Sequence, residues 1–160
     1  MAGDYLFNFP SNRIVMGDYL GARQVKIGPN ATAAQMVPGR LVKYDTSGNA
    51  DIKECAVIDP SNNIVPIGVL GYEDTLPANR SASITTAQAV GDIVAVHMAP
   101  GMIFHGWLID AQTVVVGSYL KPSTSGSHAV ITANTDWATA KSLEAKTSSG
   151  VTACWMQYLG

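Results

Sequence analysis

The sequence is short of charge. Asp, Glu, Lys and Arg make up 14% of its 160 residues, whereas about 25% is usual for a soluble protein. The basic residues are scattered, and the formal net charge is −2. A surface that follows nucleic-acid phosphates needs clustered basic side chains, and so does one held to a membrane by charge. We therefore expect neither nucleic acid nor a membrane as a partner.

Cysteine is also scarce, with Cys55 and Cys154 the only two in the sequence. Two cysteines that far apart cannot form a disulfide framework. Each lies among apolar or strand-forming neighbours, which predicts buried free thiols and synthesis in a reducing cytoplasm. Long apolar runs are absent as well: no window approaches about 18 uninterrupted apolar residues, so we expect no transmembrane helix. Residues 1–13 lack the basic and apolar regions of a secretion signal.

Motifs of catalysis are missing. The sequence contains no GxSxG, GxxxxGK[ST] or GxGxxG motif, which removes the usual signatures of a serine nucleophile and of a phosphate cradle. We expect no enzymatic activity and no cofactor. One alternative is a metal site at His97 and His105, which flank the turn of a predicted hairpin. It would need a third ligand such as Asp92 or Asp110.

Glycine-led strands are present instead. The segments VPGRLVKY (37–44), AVGDIVAV (89–96) and VVGSYLKP (115–122) share a glycine, a polar residue and then a strand. The glycine lets the chain turn sharply into each strand. Their uneven spacing indicates a meander of hairpins and not a fixed-period solenoid. Ile64–Tyr72 is predicted as a central strand, apolar on both faces.

The end of the chain is predicted to contain a last strand. Residues 135–146 fit either a short helix or a strand centred on 141–145. Val151–Leu159 reads as a last strand, in which Trp155 and Tyr158 lie on opposite faces. The sequence therefore predicts an all-β fold, a small β-barrel or β-sandwich built from hairpins.

The first part of the chain differs from the rest. We predict an extended N-terminal arm over residues 1–35 and a β-rich domain over residues 36–160. The arm is rich in aromatic residues, namely Tyr5, Phe7, Phe9 and Tyr19. Such side chains need an apolar surface on which to pack, either in this domain or in a neighbouring subunit.

Several segments together resemble a known family. They are PGRLV (38–42), PIGVLG (66–71), VGDIVAV (90–96), VGSYL (116–120) and SLEA (142–145), followed by SSGVTACWMQYL (148–159). In this order they resemble the small capsid cement, or head decoration, proteins of tailed bacterial and archaeal viruses. Ser142 departs from the small apolar residue usual in that family.

The resemblance implies a β-rich barrel or sandwich that binds the outer surface of an icosahedral head and stabilises it, often as a trimer. The implied partners are the major capsid protein and the chain itself, as a homotrimer. The implied location is the capsid outer surface, after synthesis in the host cytoplasm. We expect capsid or subunit contacts from Tyr5, Phe7, Phe9, Arg13, Tyr19, Trp155 and Tyr158.

An alternative function keeps the virion location but changes the ligand. In it the chain is a carbohydrate-binding surface module, with Trp107, Tyr119 or Trp137 as a stacking platform for sugar rings.

Overall fold

The structure, a computed structural model, describes residues 15–16, 22–45, 54–57, 66–72, 75, 77–132 and 138–160. Within these ranges the chain forms thirteen β-strands and three short 3₁₀ helices. The strands are β1 Val15–Met16, β2 Ala22–Ile27, β3 Leu41–Tyr44, β4 Glu54–Val57, β5 Gly68–Leu70, β6 Ile93–His97, β7 Ile103–Leu108, β8 Thr113–Val114, β9 Tyr119–Pro122, β10 His128–Val130, β11 Ala140–Ser142, β12 Lys146–Thr147 and β13 Thr152–Tyr158. The 3₁₀ helices are Ala33–Gln35, Pro77–Asn79 and Thr124–Gly126. The prediction of an all-β fold is confirmed.

The first five-stranded barrel has the closed order β2-β4-β3-β5-β6. Its interior is apolar because alternate residues of each strand point inward. These side chains are almost completely buried: Val25, Ile27, Val42, Cys55, Leu70, Val94 and Val96. The barrel begins at Ala22, so residues 22–35 of the predicted arm belong to it. Residues 1–14 and 17–21 of that arm lie outside the described residues.

The second barrel is built from β7, β10, β9, β11 and β13, and it closes because β13 also pairs with β7. This closing ladder is long and antiparallel, running from Thr152 opposite Leu108 to Gln157 opposite Ile103. Strand β1 adds to the other edge of β7, and β8 and β12 form a separate two-stranded ribbon. The buried core of this barrel includes Phe104, Leu108, Leu120, Cys154, Met156 and Tyr158.

Two sequence predictions change in the structure, and one open alternative is decided. The hairpin predicted from residues 93–98 and 103–108 is wrong, because β6 pairs with β2 and β5 while β7 pairs with β13, β10 and β1. The turn between them links two barrels. Of the predicted central strand, only Gly68–Leu70 is assigned as a strand among the described residues. The ambiguous segment before the last strand contains a strand, Ala140–Ser142.

Glycines begin the strands through a common turn. Four of them have a positive φ between 85° and 90° and lie two residues before β3, β6, β7 and β9. In each turn the residue after the glycine donates its backbone N–H to the carbonyl three residues earlier, as Ser118 does to Val115 at 3.0 Å. These are type II turns, which require φ > 0 at the third position. The glycines are Gly39, Gly91, Gly101 and Gly117.

The two barrels have the same topology. Strands β2, β3, β4, β5 and β6 of the first correspond to β7, β9, β10, β11 and β13 of the second, in the same ring order. In both rings the first and third strands pair in parallel, and the other four pairings are antiparallel. The chain therefore contains an internal structural repeat.

The registers of the two rings also match. We equate Gly39 with Gly117 and then follow the residue pairs from strand to strand around each barrel. Every strand pairing then gives a consistent set of equivalent residues in the two barrels. It equates Val42 with Leu120, Cys55 with His128, Leu70 with Ser142 and Val96 with Met156, all of which are 0% exposed. The sequences agree where the correspondence starts, VPGRLVKYDTSG (37–48) against VVGSYLKPSTSG (115–126).

Candidate interaction surfaces

The contact between the two barrels is made by the turn that leads into β3. Its Pro38 carbonyl accepts a hydrogen bond from the indole Nε1 of Trp107 at 2.7 Å. The guanidinium of Arg40 donates to the carbonyl of Ser125 at 2.6 Å. A Cβ added at Gly39 would overlap the carbonyl oxygen of His105. The first barrel therefore presses its backbone directly against β7 of the second.

Two apolar side chains complete this contact. Leu41 and Val69 point out of the first barrel, yet both are 0% exposed. They pack into the core cluster of the second barrel. Burying an aliphatic side chain of this size stabilises a protein by about 1.5–3 kcal/mol. We call this surface (Val37–Leu41 with Val69) the docking face of the first barrel.

The equivalent face of the second barrel is exposed. Its turn places Val115 and Val116 in solvent, 62% and 63% exposed, whereas the matching Val37 is 9% exposed. Tyr119 stands in the place of Leu41 and is 36% exposed. The ammonium of Lys141 lies 4.6 Å from the centre of the Tyr119 ring. We call this surface (Val115–Tyr119 with Lys141) the open face.

The predicted contact residues have different positions. Trp155 lies half-buried on the outside of the second barrel, and its ring stacks on that of His105 with 4.6 Å between centroids. Tyr158 points into the core and is 2% exposed, so its side chain cannot reach another protein in this fold. The other five lie outside the described residues: Tyr5, Phe7, Phe9, Arg13 and Tyr19.

The surroundings of the stacked pair disfavour the charged form of His105. Burial lowers the pKa of His105, and nearby Lys146 lowers it further, while Glu144 opposes the shift. The carboxylate of Glu144 also accepts the backbone N–H of Trp155 at 3.1 Å. Trp155 and His105 therefore form a fixed, half-exposed aromatic surface.

The two histidines proposed as metal ligands lie in different barrels. His97 belongs to β6, is 2% exposed, and packs so closely on Gly71 that an added Cβ there would meet the imidazole. His105 lies on β7 against Trp155. Among the described residues, no group of three or more His, Cys, Asp or Glu side chains is arranged to hold a metal ion. The geometry that motivated the metal alternative was the hairpin, which does not form.

The proposed sugar-binding aromatics do not form one platform in the described residues. The indole of Trp107 is engaged with Pro38 in the contact between barrels. Tyr119 lies on β9, which β10 separates from β7 in the ring. Trp137 lies outside the described residues.

Both cysteines are free and buried, as predicted. Burial raises the pKa of Cys154 to about 11, which disfavours the reactive thiolate. The interior of the second barrel also holds His128, which is 0% exposed and packs on Phe104. Its ring nitrogens have no hydrogen bond of standard geometry, and burial lowers its pKa to about 4, with the nearby backbone of Trp107 opposing the shift.

Sequence reasoning missed the docking face because it missed the duplication. The shared glycine pattern pointed to three similar strand entries, but it did not pair them. The available signal was the longer match, in which Thr46-Ser47-Gly48 and Thr124-Ser125-Gly126 stand at the same distance from the turn glycine. That match equates the turn at Gly39 with the turn at Gly117 and leaves the one at Gly91 aside.

The fold thus defines a duplicated-barrel, all-β protein with one internal docking face and one open face. No helix in the described part of the chain is long and apolar enough to cross a membrane. No protein-family model matches the sequence, and no curated protein matches it.

Among solved structures, the chain is similar to the head fiber gp8.5 N base of bacteriophage phi29. The two share 15% sequence identity with a TM-score of 0.49. The match covers 87% of this chain and 97% of the phage protein.

Proposed function

We propose that this chain is a non-enzymatic structural protein of a viral head, which binds the outer surface of an icosahedral capsid and stabilises it. The observation that carries the proposal is the ordered series of motifs from PGRLV (38–42) to SSGVTACWMQYL (148–159). These motifs coincide with turns and strands of the two barrels. The motifs form the scaffold of the two barrels, and the outer surfaces of the barrels are available for contacts with other proteins.

The surface chemistry is compatible with an assembly. Few residues are charged, and large apolar side chains are exposed on the outside of both barrels. Protein interfaces are depleted in charge and enriched in aromatic residues at their centre. Many weak contacts by many copies stabilise a shell, because each bound copy favours the assembled state and linked contacts reinforce one another.

We further propose that the chain forms a homotrimer and that its other partner is the major capsid protein. The location would be the capsid outer surface. Residues 1–14 remain the best candidate for an arm that reaches another subunit, since β1 at Val15–Met16 already pairs with β7 of the same chain. Their aromatic side chains could cover an apolar groove, or their backbone could pair with an exposed strand edge.

Co-sedimentation with purified heads of the virus that encodes the chain tests this proposal. Deletion of residues 1–30 would remove β2 and open the first barrel, so the informative truncation removes only residues 1–14 and retains β1. We expect the full chain to saturate heads at a fixed copy number. The truncated chain should stay folded by circular dichroism and lose head binding.

The control is a full chain with Thr132→Ala, a change at an exposed loop position, which should bind like the wild type. Absence of binding by the full chain would overturn the proposal. Unchanged affinity of the truncated chain would remove the arm from it. The carbohydrate alternative has less support, because Trp107 already makes the contact with Pro38; binding to a glycan array without binding to heads would favour it.

A further inference from the structure

The two barrels share one topology but use it differently. In the first barrel the docking face is covered by the second barrel, and Leu41 is 0% exposed there. In the second barrel the equivalent open face has no neighbour within the described residues, and Val116 is 63% exposed. An apolar side chain at the tip of a solvent-exposed turn does not stabilise the free chain. It stabilises a complex in which a partner removes its surface from water.

The strand part of the receiving half of the contact is duplicated as well. On the second barrel it consists of the outer side of β7, through His105 and Trp107, next to the turn that contains Ser125. The register correspondence places Gln24 and Lys26 of β2 at the positions of His105 and Trp107. The parallel partner pairs only at the end of each strand, β10 at Leu108 and β4 from Lys26 onward.

This receiving side of the first barrel is exposed to solvent. Arg23 and Gln24 are exposed, and the side chain of Lys26 is partly so. We call it the receiving face of the first barrel. A chain that carries both an open face and a solvent-exposed receiving face has the arrangement of a repeat protein, in which each repeat contacts its neighbours.

We infer that the open face of one copy docks on the receiving face of a second copy, repeating between chains the contact that already joins the two barrels within a chain. The occupant of the open face is therefore the first barrel of another copy. The contact between chains continues the internal contact, because the same topological face meets the same topological side in the same register. The contact is head-to-tail, which closes into a ring if the rotation permits and otherwise extends as a chain.

The chemistry of the new contact follows from the substitutions between barrels. Within the chain, Trp107 donates to the carbonyl of Pro38. Between chains, the ammonium of Lys26, which carries three donors, takes the place of that indole opposite the carbonyl of Val116. Tyr119 takes the place of Leu41 and supplies a larger apolar surface with a hydroxyl that tolerates water. The contact between chains is thus more polar than the internal one, as suits a surface exposed in the free chain.

The test is the mass of the full chain in solution, measured without heads by light scattering over a concentration series. This inference deepens the proposed self-association, and its outcome is independent of capsid binding. We expect the wild type to assemble with increasing concentration, and Val116→Asp to be a monomer at concentrations at which the wild type is assembled. The matched control is Val90→Asp, which changes the same position of another type II turn, 44% exposed on the first barrel.

The control should assemble like the wild type. A wild type that is monomeric throughout, a Val116→Asp chain that assembles normally, or equal loss in Val90→Asp would each overturn the inference. A second measurement identifies the partner surface. In a mixture of Val116→Cys and Gln24→Cys chains, a short bismaleimide should link one chain of each kind, since both native thiols are buried. Absence of this heterologous link in an assembled sample would also overturn it.

Discussion

Leu41 is a side chain of the first barrel that helps to join the two barrels. It belongs to a strand of the first barrel, but it is 0% exposed and packs in the core cluster of the second. Leu41→Ala would remove its contacts and leave a cavity between the barrels. Such changes cost about 2–5 kcal/mol. We expect about 3–4 kcal/mol here, because the docking backbone at Gly39 touches β7 and limits collapse of the cavity.

The internal repeat offers a matched control for this change. Tyr119 occupies the equivalent position of the second barrel and is 36% exposed. Tyr119→Ala should therefore lower the free energy of unfolding by less than about 1 kcal/mol, as is usual for surface positions. The comparison holds strand, register and ring position constant, while burial and residue type differ.

Tryptophan fluorescence during urea unfolding measures the effect. All three tryptophans, at positions 107, 137 and 155, follow the first barrel in the sequence, so their fluorescence reports on the second half of the chain. We expect Leu41→Ala to shift this transition to lower urea although the mutation lies in the first half. A tryptophan transition that did not move, or one that Tyr119→Ala moved as far, would contradict the burial of Leu41 between the barrels.

Three further predictions follow from the same structure. Gly39→Ala should destabilise the fold by at least about 2 kcal/mol more than Gly91→Ala in thermal or urea unfolding. Both glycines have a positive φ, but only at Gly39 would an added Cβ press into the backbone of β7. Equal losses of stability would contradict the direct contact of the barrels. Stability should fall as the pH drops from about 6.5 to about 4, because the pKa of His128 is about 4 in the fold and 6.5 is its ordinary value, so the unfolded chain binds the proton first. The total is about 3 kcal/mol at 1.4 kcal/mol per pKa unit, and His128→Leu should remove this part of the pH dependence; an unchanged profile would mean that the residue is not the cause. Cys55 and Cys154 should react with a thiol reagent at pH 8 only after denaturation, since both are 0% exposed, and rapid labelling of the native chain would show that the barrels open.

Local features were predictable from the sequence because they depend on neighbouring residues. Gly117 must take a positive φ in the turn before its strand, and the sequence marks it with VVGSYL. The last strand was predictable because side chains alternate between the two faces of a strand. Cys154 and Met156 alternate with outward residues and are buried. The sequence placed Trp155 and Tyr158 on opposite faces of the last strand without indicating which face is buried. The structure shows that the face of Tyr158 points into the core.

Pairing between distant strands was not predictable in the same way. Strands β6 and β7 look like a hairpin in the sequence, because a tight glycine turn joins two apolar segments. They separate because β6 pairs with β2 and β5 around one core, and β7 pairs with β13 around another. A turn fixes the local direction of the chain, whereas the choice of partner depends on which apolar faces can be buried together.

The all-β class, the positions of the glycine turns and the burial of both thiols could be read from the sequence, since each follows from short-range sterics or from alternation of apolar residues. Tertiary packing was needed to show that the strands close into two equivalent barrels, and that one copy of a repeated turn is covered while the other is open. Val37 and Val115 are the same residue in the same motif, yet one is 9% and the other 62% exposed. The difference lies in what packs against them, because burial depends on the surroundings of a motif and not on the motif itself.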